Sequence, residues 1–124
     1  MKLLSSLIFL FLFSFQVFGQ DDLEYEFDKA RALLAQRHID EALLSLKKLY
    51  RSNPDNGNYN FLMGAALAEQ PNKSAEAIFH LKKAIELVSD NYSVGNFKET
   101  KAPIHTFYYL TIAFVQQDKC EEAY

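Results

Sequence analysis

The stretch Glu41-Ala42-Leu43-Leu44-Ser45-Leu46-Lys47-Lys48 returns 35 residues later as Glu76-Ala77-Ile78-Phe79-His80-Leu81-Lys82-Lys83, and its opening pair appears again at Glu122-Ala123. Self-similarity at a period in the mid-thirties marks helical units too small to bury their apolar faces alone; they stack on neighbours and present a shared surface. A binding scaffold is therefore the first expectation, with no ligand named by the pattern itself.

The spacing of apolar residues predicts five helices and no strand. Residues 23–36 carry Leu23, Phe27, Ala30, Leu33 and Leu34 at helical spacing, and residues 40–51 carry Leu43, Leu46, Leu49 and Tyr50, with Asp40 expected as N-cap. Pro54, within Ser52-Asn53-Pro54-Asp55-Asn56-Gly57, turns the chain. A third helix is expected over 58–69, ended by Pro71-Asn72-Lys73, and a fourth over 74–88 that buries Ala77, Leu81, Ala84 and Ile85. The fifth, 102–117, would hold Pro103 in its first turn, where a missing amide costs nothing.

Ahead of these helices, Met1-Lys2 gives a positive start, residues 3–15 are almost wholly apolar, and Val17-Phe18-Gly19 offers a signal-peptidase site. Residues 1–19 read as a leader, cleaved before Gln20, and the protein as exported. An uncleaved anchor is the competing reading, but the apolar run falls short of the roughly 20 residues a span needs and meets Asp21-Asp22 at once. Five of the 11 phenylalanines lie in this leader. Without Lys2, 12 basic residues face 16 acidic ones, a mildly acidic single domain with no basic stripe to track nucleic acid. Cys120 is the sole cysteine, so no internal disulfide forms.

The combined pattern resembles tetratricopeptide repeats. The small residue midway along the first helix of each unit is matched by Ala30, Gly64 and Thr111; the second-helix positions are matched by Ala42, Leu46 and Leu49, then Ala77, Leu81 and Ala84; Pro54 matches the closing proline. Glu26 and Asn60 depart from the family at a tryptophan-like position, Leu49 is bulky where alanine is usual, and Ser89 stands where a second closing proline would be. The resemblance implies an all-α fold of antiparallel helix-pair repeats stacked as a short right-handed solenoid. Its units would be residues 23–56, 57–90 and an incomplete 104–124, in a domain spanning 20–124. Aligning the third unit on Asp118-Lys119-Cys120-Glu121-Glu122-Ala123 places Cys120 in the slot of Ile39, where an inert, buried thiol is expected over a redox or metal role.

Between the second and third units, residues 89–101 form an insertion with two aromatics, Tyr92 and Phe97. These either pin the loop to the helices or form a partner-contacting arm. The stretch Phe97-Lys98-Glu99-Thr100-Lys101-Ala102-Pro103, with Tyr108-Tyr109-Leu110, resembles the N-terminal repeat domain of bacterial envelope proteins that continue into a WD-like propeller and an OmpA-like peptidoglycan-binding domain. That likeness implies a periplasmic or outer-membrane-associated component of protein secretion. The alternative is a repeat module of a larger enzyme or glycan-uptake protein whose active part follows residue 124. An apolar fifth helix with Phe107, Tyr108, Tyr109, Leu110, Ile112, Phe114 and Val115, and little partner helix to cover it, leads to the expectation that this is the front of a longer chain.

The sequence offers no catalytic constellation. His38, His80 and His105 are dispersed and read as turn or surface residues, no phosphate-cradling loop or nucleophile elbow occurs, and Glu24, Glu26 and Asp28 read as a solvated face, as do Lys47-Lys48 and Lys82-Lys83. No cofactor, metal or nucleic-acid partner is expected. The family register instead directs Glu24, Phe27 and Arg31, then Asn58, Phe61 and Ala65, then His105, Tyr108 and Ile112 toward a concave groove for an extended peptide or partner helix. The competing reading makes Phe27, Phe61 and Tyr108 part of the core between repeats.

Overall fold

The computed structural model describes residues 19–122, with side chains through Lys119. The leader reading of residues 1–18, the Cys120 side chain and the Glu122-Ala123 pairing lie outside the described residues or side chains. Five α-helices follow in order: α1 (Gln20–Ala35), α2 (Ile39–Ser52), α3 (Gly57–Ala68), α4 (Ser74–Ile85) and α5 (Thr106–Glu122), with one turn of 3-10 helix, Pro71–Lys73, ahead of α4. Each α-helix packs on its predecessor, and α5 reaches back to α3 as well.

The all-helical expectation holds among these residues, while several boundaries move for identifiable reasons. Asp40 is not the α2 N-cap: the helix starts at Ile39 with His38 ahead of it, and the Asp40 carboxylate instead accepts from Gln70 Nε2 at 3.2 Å. Asn56, unassigned by the pattern, caps α3 by accepting from the Tyr59 amide at 3.0 Å. Pro103 lies ahead of α5, not in its first turn, and its carbonyl accepts from the Thr106 hydroxyl at 2.6 Å. Nor does the fifth helix end at Gln117: α5 continues through Glu122. α1 ends in a Schellman turn, with His38 N–H bonding Leu33 O and Arg37 N–H bonding Leu34 O. Arg37 itself takes the left-handed conformation, φ 63°.

The core is the face predicted from periodicity. Phe27, Leu46, Leu49, Met63, Leu67 and Leu81 are fully enclosed, joined by Ala30, Ala42, Ala77 and Ala84. The small-residue slot is occupied differently in α5: Thr111 is exposed, its hydroxyl bonded to Phe107 O at 2.9 Å, and Ala113 is the buried residue. Ile85 is only half-buried.

Two polar positions are inside, contrary to their reading as surface. Glu26 is buried at the α1–α2 contact, where Lys48 Nζ reaches its carboxylate at 2.9 Å and holds its pKa below the usual range, with Ser45 adding to the effect. Lys48 is therefore an ion-pair partner and not simply part of a soluble face. His80 is buried between the rings of Tyr50 and Phe79 and meets Asn60 Oδ1 at 3.0 Å through Nδ1. Asn60 Nδ2 donates to Pro54 O and Asn56 O, so its oxygen is the acceptor and His80 Nδ1 carries the proton. Lys83 closes the same region, its ammonium on Pro54 O at 2.8 Å and near the rings of Tyr50 and Phe79.

α3 packs closely on α4 at Gly64. A Cβ placed on Gly64 would lie 2.4 Å from Leu81 Cγ and 3.3 Å from Ala77 O, so only hydrogen fits there. Gly64→Ala sets a helix-propensity gain of about 1 kcal/mol against overpacking of about 1–3 kcal/mol, and net destabilisation is expected in urea unfolding. In a Leu81→Ala background only the 3.3 Å approach to Ala77 O remains, and Gly64→Ala is expected to destabilise much less; a gain in the unaltered background would refute the close packing.

Burial lowers the His80 pKa below its ordinary 6.5, Glu76 opposing and Lys83 assisting the shift. Above 6.5 the ring is neutral folded and unfolded. As pH falls below 6.5 the unfolded chain takes up the proton first, so stability declines toward the folded pKa. Denaturation midpoints should drop as pH falls below 6.5, and His80→Gln should flatten that slope; an unchanged slope in the variant would contradict the assignment.

Candidate functional site

Two cavities open over α3 and meet at Phe61 and Leu62, which line both. One, of about 260 Å³, is lined by Leu34, Arg37, Ile39, Ala65, Ala66, Glu69 and Tyr109 besides the shared pair. The other, of about 200 Å³, adds Phe27, Arg31, Tyr92, Val94, Gly95, Pro103 and His105. Together they form an apolar trough whose walls come from α1, α5 and the loop at 86–105, with α3 as floor.

That loop is fixed to the helices at several points. Its ends are joined where Ser89 N–H meets Ala102 O and Ala102 N–H meets Leu87 O, the Val88–Ala102 bridge. Its far side hangs on the start of α3: Gly57 N–H donates to Thr100 O at 2.8 Å and Asn56 Nδ2 to Glu99 O at 3.3 Å. An added Cβ at Gly57 would come 2.8 Å from that same Thr100 oxygen, so a larger residue would force the loop away. The Glu99 carboxylate accepts the Ser93 and Lys101 amides at 2.7 and 2.9 Å, which lowers its pKa. Tyr92 donates to Asn58 Oδ1 at 2.6 Å, and burial raises its phenol to about 12.

The residues expected in the groove are placed unequally. Phe61, Ala65, Arg31 and His105 line the trough, and Tyr92 joins them from the loop. Phe27 also lines it but is 1% exposed, its ring edge-on to Phe97 at 5.8 Å, so it is floor and core together. Asn58 is wholly buried and holds the loop through Tyr92, leaving nothing for a ligand to touch directly. Glu24 is exposed without lining either cavity, and Ile112 packs half-buried against the core. Tyr108 is 63% exposed, whereas its neighbour Tyr109 turns in, 5.9 Å from Phe61. Phe97 pins the loop to Phe27.

Leu34, Arg37, Ile39, Leu62, Ala66, Glu69 and Tyr109 were missed. A one-position shift of the family register recovers Leu62, Ala66 and Tyr109. No local signal could have found the Arg37–Glu69 pair, which spans 2.7 Å between groups 32 positions apart.

The charges around the trough are unevenly satisfied. Arg37 has Glu69, but among the described residues Arg31 makes no ion pair or hydrogen bond. Its guanidinium lies 5.9 Å from the Phe27 ring centre and against Gly95, whose φ of 75° suits glycine and where a Cβ would sit 2.7 Å from Arg31 Nη1. Among the described residues there is no group of three His, Cys, Asp or Glu side chains able to hold a metal, and no helix long and apolar enough to cross a membrane. Comparison with protein-family models, curated proteins and solved structures gives no match.

Proposed function

We propose that the chain is a non-enzymatic interaction module, a short tetratricopeptide-like solenoid, that seats an extended peptide or partner helix in the trough. The observation that carries this reading is the meeting of two apolar cavities over Phe61 and Leu62. A continuous concave strip with aromatic and aliphatic floor and polar rim suits side-chain anchors at intervals along a partner. The leader-like residues 1–19 and the resemblance of residues 97–110 to envelope repeat domains support export and a place in the periplasm or at the outer membrane, possible peptidoglycan association residing in a further domain. A role in protein secretion belongs to the same proposal.

Photo-crosslinking residues placed at Leu62 or Ala65 should capture one common partner in envelope preparations of the native host, and one at Leu44, exposed on α2, should not. Phe61→Ala is expected to weaken that partner by about 2 kcal/mol, roughly thirtyfold, as loss of a central aromatic anchor does. Capture from Leu44 alone would overturn the trough as the binding face.

A further inference from the structure

The second cavity, taken by itself, carries a charge requirement. Its floor and walls are Phe27, Phe61, Leu62, Val94 and Pro103, and Arg31 stands at its rim. The Arg31 side chain is exposed yet held on two sides, by the Phe27 ring and by Gly95, whose missing side chain makes room for the guanidinium. Its donors meet no acceptor among the described residues. The carboxylate of Glu99, on the same loop, is held by two backbone amides and makes no ion pair with Arg31. Tyr92 is committed as a donor to Asn58. His105 is the other nitrogen-bearing side chain lining the cavity. The neighbouring cavity differs, because its rim cation, Arg37, is already neutralised by Glu69 at 2.7 Å.

We propose that this end of the trough selects a peptide carrying an Asp or Glu side chain beside an apolar anchor, the anchor entering over Phe61 and Leu62 and the carboxylate meeting Arg31. This rests on the trough being the peptide-binding face. Charge complementarity favours an acidic group, since an uncompensated guanidinium presents up to five donors in a plane that a carboxylate matches with two parallel bonds. Two cavities that share Phe61 and Leu62 favour a side chain of a chain that runs on past Arg31 over a terminal carboxylate, because such a chain can place a residue in each. Its seat against Gly95, with the Phe27 ring nearby, limits the rotamer freedom that the guanidinium loses on binding, which makes the contact more favourable than that of a free surface arginine.

The test is selection of random peptides on the full chain in two displays, one with peptides fused at both ends and one with free carboxyl termini. The expected result is enrichment of Asp or Glu next to Leu, Ile or Phe in the fused display. Synthetic versions of a selected peptide should lose roughly fivefold in affinity when the acid becomes Asn or Gln, the scale of a partly exposed charge-assisted bond. Arg31→Gln should cause the same loss for the acidic peptide and none for its amide version, a coupling that a purely structural role for Arg31 would not produce. Apolar-only binders, or an acidic preference that survives Arg31→Gln, would overturn the charge requirement and leave the trough standing. Enrichment only at free carboxyl termini would overturn the side-chain assignment. Failure to select any binder, or selected peptides insensitive to Leu62→Ser, would remove the trough reading and this inference together.

Discussion

The contact between Gly64 and Leu81 sets the distance between α3 and α4, and the trough depends on it. Helices separated by the usual 8–10 Å admit large side chains at their interface; here the closest point admits only a hydrogen atom on one side. Leu81 fills the space completely and is itself fully buried. α3 is held against α4 at Gly64, and on its adjoining faces Phe61, Leu62 and Ala65 line the cavities beside α1 and α5. A bulkier residue at 64 would lift that floor toward solvent. The fold and the candidate site are linked through this one dimension.

Around that contact, polar bridges between helices fix relative placement. Glu26 on α1 and Asn60 on α3 make two of these bridges. One answers with an ion pair to Lys48 and the other with three bonds reaching Pro54, Asn56 and His80. Each thereby ties its helix to the next with directional bonds. Replacing one partner would leave a buried polar group unsatisfied, at a cost of about 1–3 kcal/mol. Ser74 on α4 does likewise for α5, donating to Gln117 at 2.8 Å.

Much of the helical framework was legible because small and large apolar residues recur at fixed offsets: Ala30 and Gly64, Ala42 and Ala77, Leu46 and Leu81 all lie inside. The repeat could not disclose Glu26 or His80 as interior residues, since their partners lie 22 and 20 positions away and the same residue types ordinarily face water. Tyr108 and Tyr109 show the finer difficulty. Adjacent residues on a helix point about 100° apart, and identical side chains leave no pattern to say which turns inward. Contact with Phe61 decides for Tyr109. The insertion was recognisable by its length and its two aromatics, but its anchoring runs through backbone groups at Gly57, Thr100 and Ala102, which side-chain patterns do not encode.

α3 and α4 share the most extensive contact among the helices, and the walls of the trough are assembled on that pair. Native-state amide hydrogen exchange measures this most directly. The account predicts that the amides of Met63, Leu67 and Leu81 exchange only through global unfolding, sharing one free energy and one denaturant dependence, while those of α1 and the 86–105 loop open at lower cost. Exchange of the α3 and α4 core amides by local opening, at or below the free energy found for α1, would contradict it.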